Sequence, residues 1–174
     1  QIDEAFYQAL GYTENERILI WDLIANNLDL FQEKEKSKAC LPSIRDEDQK
    51  YAALLCKTLN EFLKLGSQTS CWATTFETSS RLPLKVVAIH FNAEQPAGAV
   101  KSDNAASIHE TLKTIEADTY RKHSESMYFR KFVRYFVSDR VYIIKPNQKR
   151  FWSRAQALND ADEIIAEVLA MQQK

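Results

Sequence analysis

The scarcity of glycine is the strongest constraint on what this chain can fold into. Only three glycines occur among 174 residues, at positions 11, 66 and 98. Nucleotide-binding loops and hairpin-rich all-β folds need more backbone freedom than three isolated glycines give, so we expect helices to dominate. Because 45% of the residues are apolar, the chain has enough hydrophobic material to form a core.

The first third of the chain has helical periodicity. Thr13 and Glu16 have the spacing of a capping box, which predicts that a long helix begins near Glu14 and runs into the charged stretch 32–38. A second helix is predicted over residues 46–65, because Gly66 can cap its end. We expect residues 1–65 to form a helical hairpin that docks to a partner. The residues at helical spacing are Ile20, Ile24, Asn27, Leu28 and Phe31, with Trp21 on the same side, and then Tyr51, Leu54, Leu55, Leu59, Phe62 and Leu63.

Beyond Gly66 the pattern predicts a second unit over residues 66–174. β-Branched and aromatic residues indicate strands over 70–78, 84–91 and 140–145. The remaining predictions are helices over 105–120, 126–137 and 154–171, a loop over 92–104 and a short return strand over 147–152. Together they predict an α+β protein: an N-terminal helical hairpin followed by a small antiparallel sheet with two or three packing helices.

Residues 121–154 concentrate positive charge. They contain ten Lys and Arg, two acids and eight aromatic residues, although the whole chain has a net charge of −1. Such a segment attracts phosphates or an acidic surface, and interleaved aromatic side chains can stack on bases. In the alternative interpretation the aromatic residues fill the core and the cations form a solvated face. The predicted nucleic-acid contacts are Arg130, Lys131, Arg134, Lys145, Lys149, Arg150 and Arg154 for phosphates, with Asn147 and Gln148 for base edges.

Other chemistries find little support in the sequence. His90, His109 and His123 have no cysteine at ligand spacing, so neither a metal nor a cofactor is predicted. The odd set of three cysteines is typical of reduced thiols in a cytoplasmic protein. No segment is apolar enough to span a membrane. Asp160 is expected on the solvated face of the last helix together with Asp162 and Glu163.

A small metal-dependent nuclease is the one enzymatic alternative. Glu77 and Lys85 fall on neighbouring predicted strands, as in some nuclease centres, but the short Glu-x-Lys strand pattern is absent. We therefore expect that the chain is not an enzyme.

Two stretches resemble segments of bacterial adenine-specific DNA methylases of restriction-modification or phage-defence systems. The first is IDEAFYQALGYTENER over residues 2–17. The second comprises YIIKP at 142–146, FWSR at 151–154 and NDADE at 159–163. All four prolines are isolated, so the Asn/Asp/Ser-Pro-Pro-Tyr/Phe tetrapeptide that holds the target amine in such methylases does not occur. The resemblance therefore implies a non-catalytic piece that works with a larger protein such as a methylase.

These observations lead to two main hypotheses of function. In the first, the chain is a non-enzymatic DNA-contacting or specificity module of a bacterial restriction-modification or defence system, with residues 1–65 docked to a larger subunit. In the second, it is a protein-interaction subunit whose basic segment meets an acidic partner.

Overall fold

N-terminal helices, a five-stranded sheet and a C-terminal helix follow one another in the computed structural model, which describes residues 2–66, 69–77, 83–104, 113 and 133–172. The helices are α1 (Ile2–Ala9), α2 (Glu14–Asp22), α3 (Asp29–Glu33), α4 (Arg45–Leu63) and α5 (Arg154–Gln172). The strands are β1 (Trp72–Glu77), β2 (Leu84–His90), β3 (Val100–Asn104), β4 (Val133–Val137) and β5 (Arg140–Pro146). The chain is thus a mixed helix and sheet protein, as predicted.

The sheet has the strand order β3-β1-β2-β5-β4 and is mixed. β1, β2, β5 and β4 pair antiparallel, whereas β3 pairs parallel to β1 from Ala73–Val100 to Glu77–Asn104. The prediction of an antiparallel sheet is therefore wrong at this edge. β3 was expected to be part of a loop because its sequence, VKSDN, lacks the apolar alternation of a half-buried strand. Its backbone pairing with β1, and not its side chains, defines it as a strand.

Three further local predictions differ from the structure. β4 occupies the end of the helix predicted over 126–137, and a 3₁₀ turn at Lys149–Phe151 replaces the predicted return strand. The charged stretch 32–38 is not the end of one long helix, because Lys34 has a positive φ of 53° and the chain continues in 3₁₀ turns. The helix predicted over 105–120 lies almost entirely outside the described residues.

One hydrophobic core joins the two predicted units. α4 and α5 pack against each other on one face of the sheet, where Tyr51, Leu55 and Leu59 of α4 meet Ala157, Ala161 and Ile164 of α5. Val87 and Ile89 of β2, with Val141 and Ile143 of β5, supply the sheet side. Residues on both sides of position 66 therefore share the same interior. The opposite face of the sheet buries Val86, Ala88 and Tyr142.

The end of α4 is tied to the start of β1 by one side chain. The Asn60 amide nitrogen donates to the carbonyl of Cys71 at 2.9 Å, and the Cys71 backbone N–H donates to the Asn60 amide oxygen at 2.8 Å. Both Asn60 and Cys71 are buried, so these groups have no water to replace a lost bond. The pair fixes how the helical layer enters the sheet.

We expect Asn60→Ala to lower the free energy of unfolding by about 1–3 kcal/mol, because it leaves the buried N–H of Cys71 unsatisfied, whereas the Cys71 carbonyl still accepts a hydrogen bond of 2.8 Å from the Gly98 N–H. Urea unfolding measures this loss. Thr58→Ala is the matched control, since the Thr58 hydroxyl bonds only to the Leu54 carbonyl one turn earlier in α4. Equal stabilities of the two variants would contradict the assignment.

Candidate functional site

The basic segment is largely neutralised where the structure describes it. Arg134 of β4 bonds the carboxylates of Glu163 and Glu167 on α5, the second at 2.8 Å, and only 12% of its side chain is exposed. Its Nη1 atom also lies 3.7 Å from the carboxylate of Asp160. Because these carboxylates already balance the charge of the Arg134 guanidinium, it is poorly placed to bind a phosphate. Arg130 and Lys131 lie outside the described residues.

Lys145 of β5 is buried between the sheet and the helices. Its ammonium group bonds the carboxylate of Asp160, which also accepts a hydrogen bond from the Tyr51 hydroxyl. Only 1% of the Lys145 side chain is exposed, so it cannot reach nucleic acid in this fold. Burial lowers the pKa of Lys145, and the Asp160 carboxylate opposes that shift. The expectation that Asp160 is solvated is wrong, because the turn of α5 that buries Ala157 and Ala161 also turns Asp160 inward.

A second buried lysine makes the equivalent connection beside it. Lys85 faces Lys145 across the β2–β5 pairing and bonds the Asp48 carboxylate and both oxygens of Ser43. Burial raises the pKa of Asp48, while the bonds from Lys85 and Ser43 act in the opposite direction. The neighbouring strands β2 and β5 thus each contribute one buried lysine that bonds an aspartate on a covering helix, Asp48 on α4 and Asp160 on α5.

This geometry does not support the nuclease alternative. Lys85 turns towards Asp48 inside the protein, whereas Glu77 lies at the surface with its carboxylate 2.6 Å from Arg45. Among the described residues no group of three or more His, Cys, Asp or Glu is placed to hold a metal ion.

The remaining predicted contacts lie around the 3₁₀ turn before α5. Lys149 bonds Glu47 of α4 at 2.8 Å, and Arg154 bonds Glu14 of α2 at 3.1 Å. Arg150 lies over the Phe151 ring and donates to the side chain of Gln148. Asn147 is buried, so its amide is not presented to base edges. These predicted residues do lie together near the start of α5, where Lys149 and Arg154 pair with acids of α4 and α2.

A cleft of about 720 Å³ lies between α2 and the first turns of α4 and α5. Buried Ile18, Trp152 and Ala155 form its apolar base. Four acids and four cations line it, so its charges balance and no net field selects an ion. They are Glu14, Asp22, Asp46 and Glu47, with Arg17, Lys50, Lys149 and Arg154.

Exposed apolar side chains cluster on α2, on α3 and on the π-helical turn Leu23–Leu28 that joins them. We call this cluster the Trp21 face. It consists of Trp21, Ile24, Leu28 and Phe31, which are 69%, 57%, 46% and 82% exposed. Their spacing of three and four residues places them on one side of the helix. The stripe identified by helical spacing in the sequence therefore faces solvent in the described structure.

The same helix turns a polar side inward. Asp22 is buried and accepts a hydrogen bond of 2.8 Å from the Asn26 amide, and both residues line the cleft. A surface helix of a globular protein normally buries its apolar stripe and exposes its polar residues. Here the arrangement is reversed along the middle of the helix. Leu19 and Leu23 are also exposed, which shows that this helix carries more apolar surface than the rest of the described fold covers.

Local interactions fix both ends of this helix. At the start, Thr13 and Glu16 form the predicted capping box, with the Thr13 amide donating to Glu16 at 2.7 Å. After the end of α3, the Lys38 amide donates to the Asp29 carboxylate at 3.0 Å. The π-helical turn lies between them, under Ile24 and Leu28, and such turns are frequent at functional sites. The Trp21 face is therefore presented by an anchored element.

His90 lies on the opposite face of the sheet. Its ring stacks on Trp72 with centroids 3.9 Å apart, and its Nε2 atom lies 3.0 Å from the Thr74 hydroxyl. Burial and the nearby Arg140 guanidinium lower the pKa of His90. Its Nδ1 atom is buried and has no hydrogen-bond partner among the described residues.

Comparison with known proteins does not assign the chain to a group. No family model matches it, and neither the curated proteins nor the solved structures give a match. None of the described helices combines the length and apolar character needed to cross a membrane.

We expect Lys145→Met to lower the free energy of unfolding by about 3–5 kcal/mol, because it leaves the buried Asp160 carboxylate without its ammonium partner. Adding Asp160→Asn removes the uncompensated charge and should recover more than half of that loss. A double-mutant cycle in urea measures the coupling. Additive losses would show that the two side chains do not interact.

We expect the free energy of unfolding to rise with pH as the pH approaches 6.5, the ordinary pKa of histidine, from below. The unfolded chain binds a proton at His90 more readily than the folded chain, so protonation favours unfolding in this range. His90→Gln should flatten the pH dependence there. An unchanged slope in the variant would show that other groups cause it.

Proposed function

We propose that the chain is a protein-interaction module that binds a partner protein through the Trp21 face. The main observation that supports this proposal is a helix whose apolar side points to solvent, whereas its polar residue Asp22 is buried. The proposal keeps the predicted docking role of residues 1–65 and moves the contact from the basic segment to an apolar helix face.

The size of this surface supports the proposal. A free aromatic side chain offers roughly 150–250 Å², so Trp21 and Phe31 alone present about 300 Å² at their observed exposure. Ile24 and Leu28 extend the same surface. Monomeric proteins seldom expose a contiguous apolar patch larger than a few hundred Å², and larger patches commonly mark interaction sites. Tryptophan and other aromatic residues are enriched at interfaces, and tryptophan is prominent among their energetic hot spots.

The cleft extends the surface inward. Trp21 belongs to the Trp21 face and also lines the cleft, so a partner covering the face meets an apolar pocket beside it. The ion pairs Lys149–Glu47 and Arg154–Glu14 lie at the cleft. A concave apolar site with a polar border is the usual receptor for an anchoring side chain of a partner. For the larger partner, the sequence resemblance suggests a DNA methylase of a bacterial defence system.

A DNA-contacting role remains a prediction from the sequence. Residues 121–132 contribute four cations and one acid, and among the described residues Arg150 pairs with an aromatic ring and an amide, not with a carboxylate. If these residues contact DNA, replacing Arg150 by Ala should flatten the slope of log affinity against log salt by about one unit. No duplex binding at low salt would remove this role.

We expect Phe31→Lys to abolish association of the chain with its partner without loss of stability, because the side chain is exposed in the isolated chain. Co-purification of a tagged chain with a co-expressed methylase of its own system, together with urea unfolding, measures both effects. Leu65→Lys is the matched control, since Leu65 is 86% exposed beyond the end of α4. Equal association by the two variants would contradict a role for the Trp21 face.

A further inference from the structure

We infer that the cleft between α2 and the first turns of α4 and α5 binds an organic cation, an ammonium or guanidinium group carried by a short apolar chain. The inference goes beyond the proposed function, because it gives the cleft a ligand of its own. It rests on Asp22, the last residue of α2, which lines the cleft and is only 7% exposed.

Asp22 differs from the other two aspartates that are buried in the described part of the chain. Asp48 and Asp160 each bond a buried lysine. Asp22 has no ion pair with any described residue, and the one donor to its carboxylate among them is the Asn26 amide at 2.8 Å. A buried carboxylate without a cation is costly, and folded proteins generally pair such a charge. A positively charged ligand in the cleft would complete this pair.

The cations that line the cleft are engaged elsewhere. Three of them pair with the other three acids of the lining, so the charges balance in sum but leave Asp22 aside. Arg17, the fourth cation, donates to the Tyr12 carbonyl at 3.1 Å and lies over the Tyr7 ring. The three pairs are Lys149–Glu47, Arg154–Glu14 and Lys50–Asp46.

The polar groups around Asp22 select a hydrogen-bond donor. Asn26 uses its amide nitrogen on Asp22, which leaves its amide oxygen as a second acceptor in the lining. Two neighbouring acceptors, one of them charged, suit the N–H groups of an ammonium or a guanidinium. The same pair repels a carboxylate or a phosphate.

The rest of the cleft suits a short carbon chain. Its base is apolar, and Trp21 and Trp152 add aromatic rings to the lining, which attract cations as well as apolar groups. The volume of about 720 Å³ falls within the range of roughly 300–1,000 Å³ that is usual for small-molecule sites. A buried carboxylate beside aromatic and apolar surface therefore favours an alkyl cation over a bare inorganic ion.

Heteronuclear NMR titration of the full chain with n-butylammonium tests the inference. We expect saturable shifts of the Asn26 side-chain amide, with a Kd on the order of 1 mM for so small a probe. Pentanoate and n-butanol, which carry the same butyl chain without the positive charge, should bind at least about tenfold more weakly at equal ionic strength.

Two variants separate a contact with Asp22 from a general effect of charge. Asp22→Asn should weaken n-butylammonium binding by about tenfold or more. Asp46→Asn is the matched control, because it removes the same charge from a cleft carboxylate that already pairs with Lys50, and it should change the affinity by less than about twofold. Asp22→Asn keeps an acceptor for Asn26 and removes an uncompensated charge, so its urea midpoint should equal or exceed that of the wild type.

Several results would overturn the inference. They are no saturable binding to the wild type, equal binding of pentanoate, unchanged binding in Asp22→Asn, or a lower urea midpoint of that variant, which would mean that the chain itself satisfies the charge. Phe31 lies outside the cleft lining, so Phe31→Lys should leave n-butylammonium binding unchanged. Loss of the partner protein in Phe31→Lys therefore concerns the Trp21 face alone.

The source of the cation is distinguished by a second probe, Nα-acetyl-lysine methylamide, which carries the same butylammonium chain on a capped backbone. Tighter binding of this probe than of n-butylammonium assigns the cleft to a lysine side chain of a protein. Weaker binding assigns it to a free amine. Both results keep the cation at Asp22, and failure of both probes to bind removes it.

Discussion

The carboxylate of Asp160 is the contact on which the rest of the described structure depends. It accepts from Lys145 of β5 and from the hydroxyl of Tyr51 on α4, and Arg134 of β4 lies 3.7 Å away. One buried side chain of α5 thus connects two strands and the second covering helix. A buried charge is stable only when its partners surround it, so these four residues impose one relative position of helices and sheet. A similar buried ion pair, Lys85–Asp48, connects β2 to α4.

These internal ion pairs change the interpretation of the basic segment, residues 121–154. Arg134, Lys145, Lys149 and Arg154 each lie within bonding distance of a carboxylate from α2, α4 or α5. The excess of Lys and Arg in residues 133–154 is therefore balanced by acidic residues elsewhere in the same chain. The resulting ion pairs connect its two halves. The Trp21 face, by contrast, is apolar and exposed. It lies on the helix whose start is held to α5 by the ion pair between Glu14 and Arg154.

Much of the fold follows from local sequence patterns. β2, β5, α4 and α5 were predictable because apolar periodicity, Pro146 and the capping residues act within a few positions of one another. β3 was not, since its strand character comes from pairing with a distant β1. Asp160 could have been found, because it falls three residues after buried Ala157 and beside buried Ala161. The direction of the Trp21 face could not be read from periodicity, which identifies an apolar stripe but not whether the same chain covers it. Leu19 and Leu23 were the available signal, because they lie two residues before and after Trp21 and therefore place apolar side chains on the other side of the same helix, where one internal partner cannot also cover them.

Tryptophan fluorescence tests the outward orientation of the Trp21 face most directly. The chain has three tryptophans, of which Trp72 and Trp152 are buried and Trp21 is 69% exposed. In dilute solution, acrylamide should quench one component of the emission efficiently, and Trp21→Phe should remove that component. When the partner binds, the same component should become protected. Emission that is protected already in the dilute chain would mean that the Trp21 face is covered by the chain itself, and the account would be contradicted.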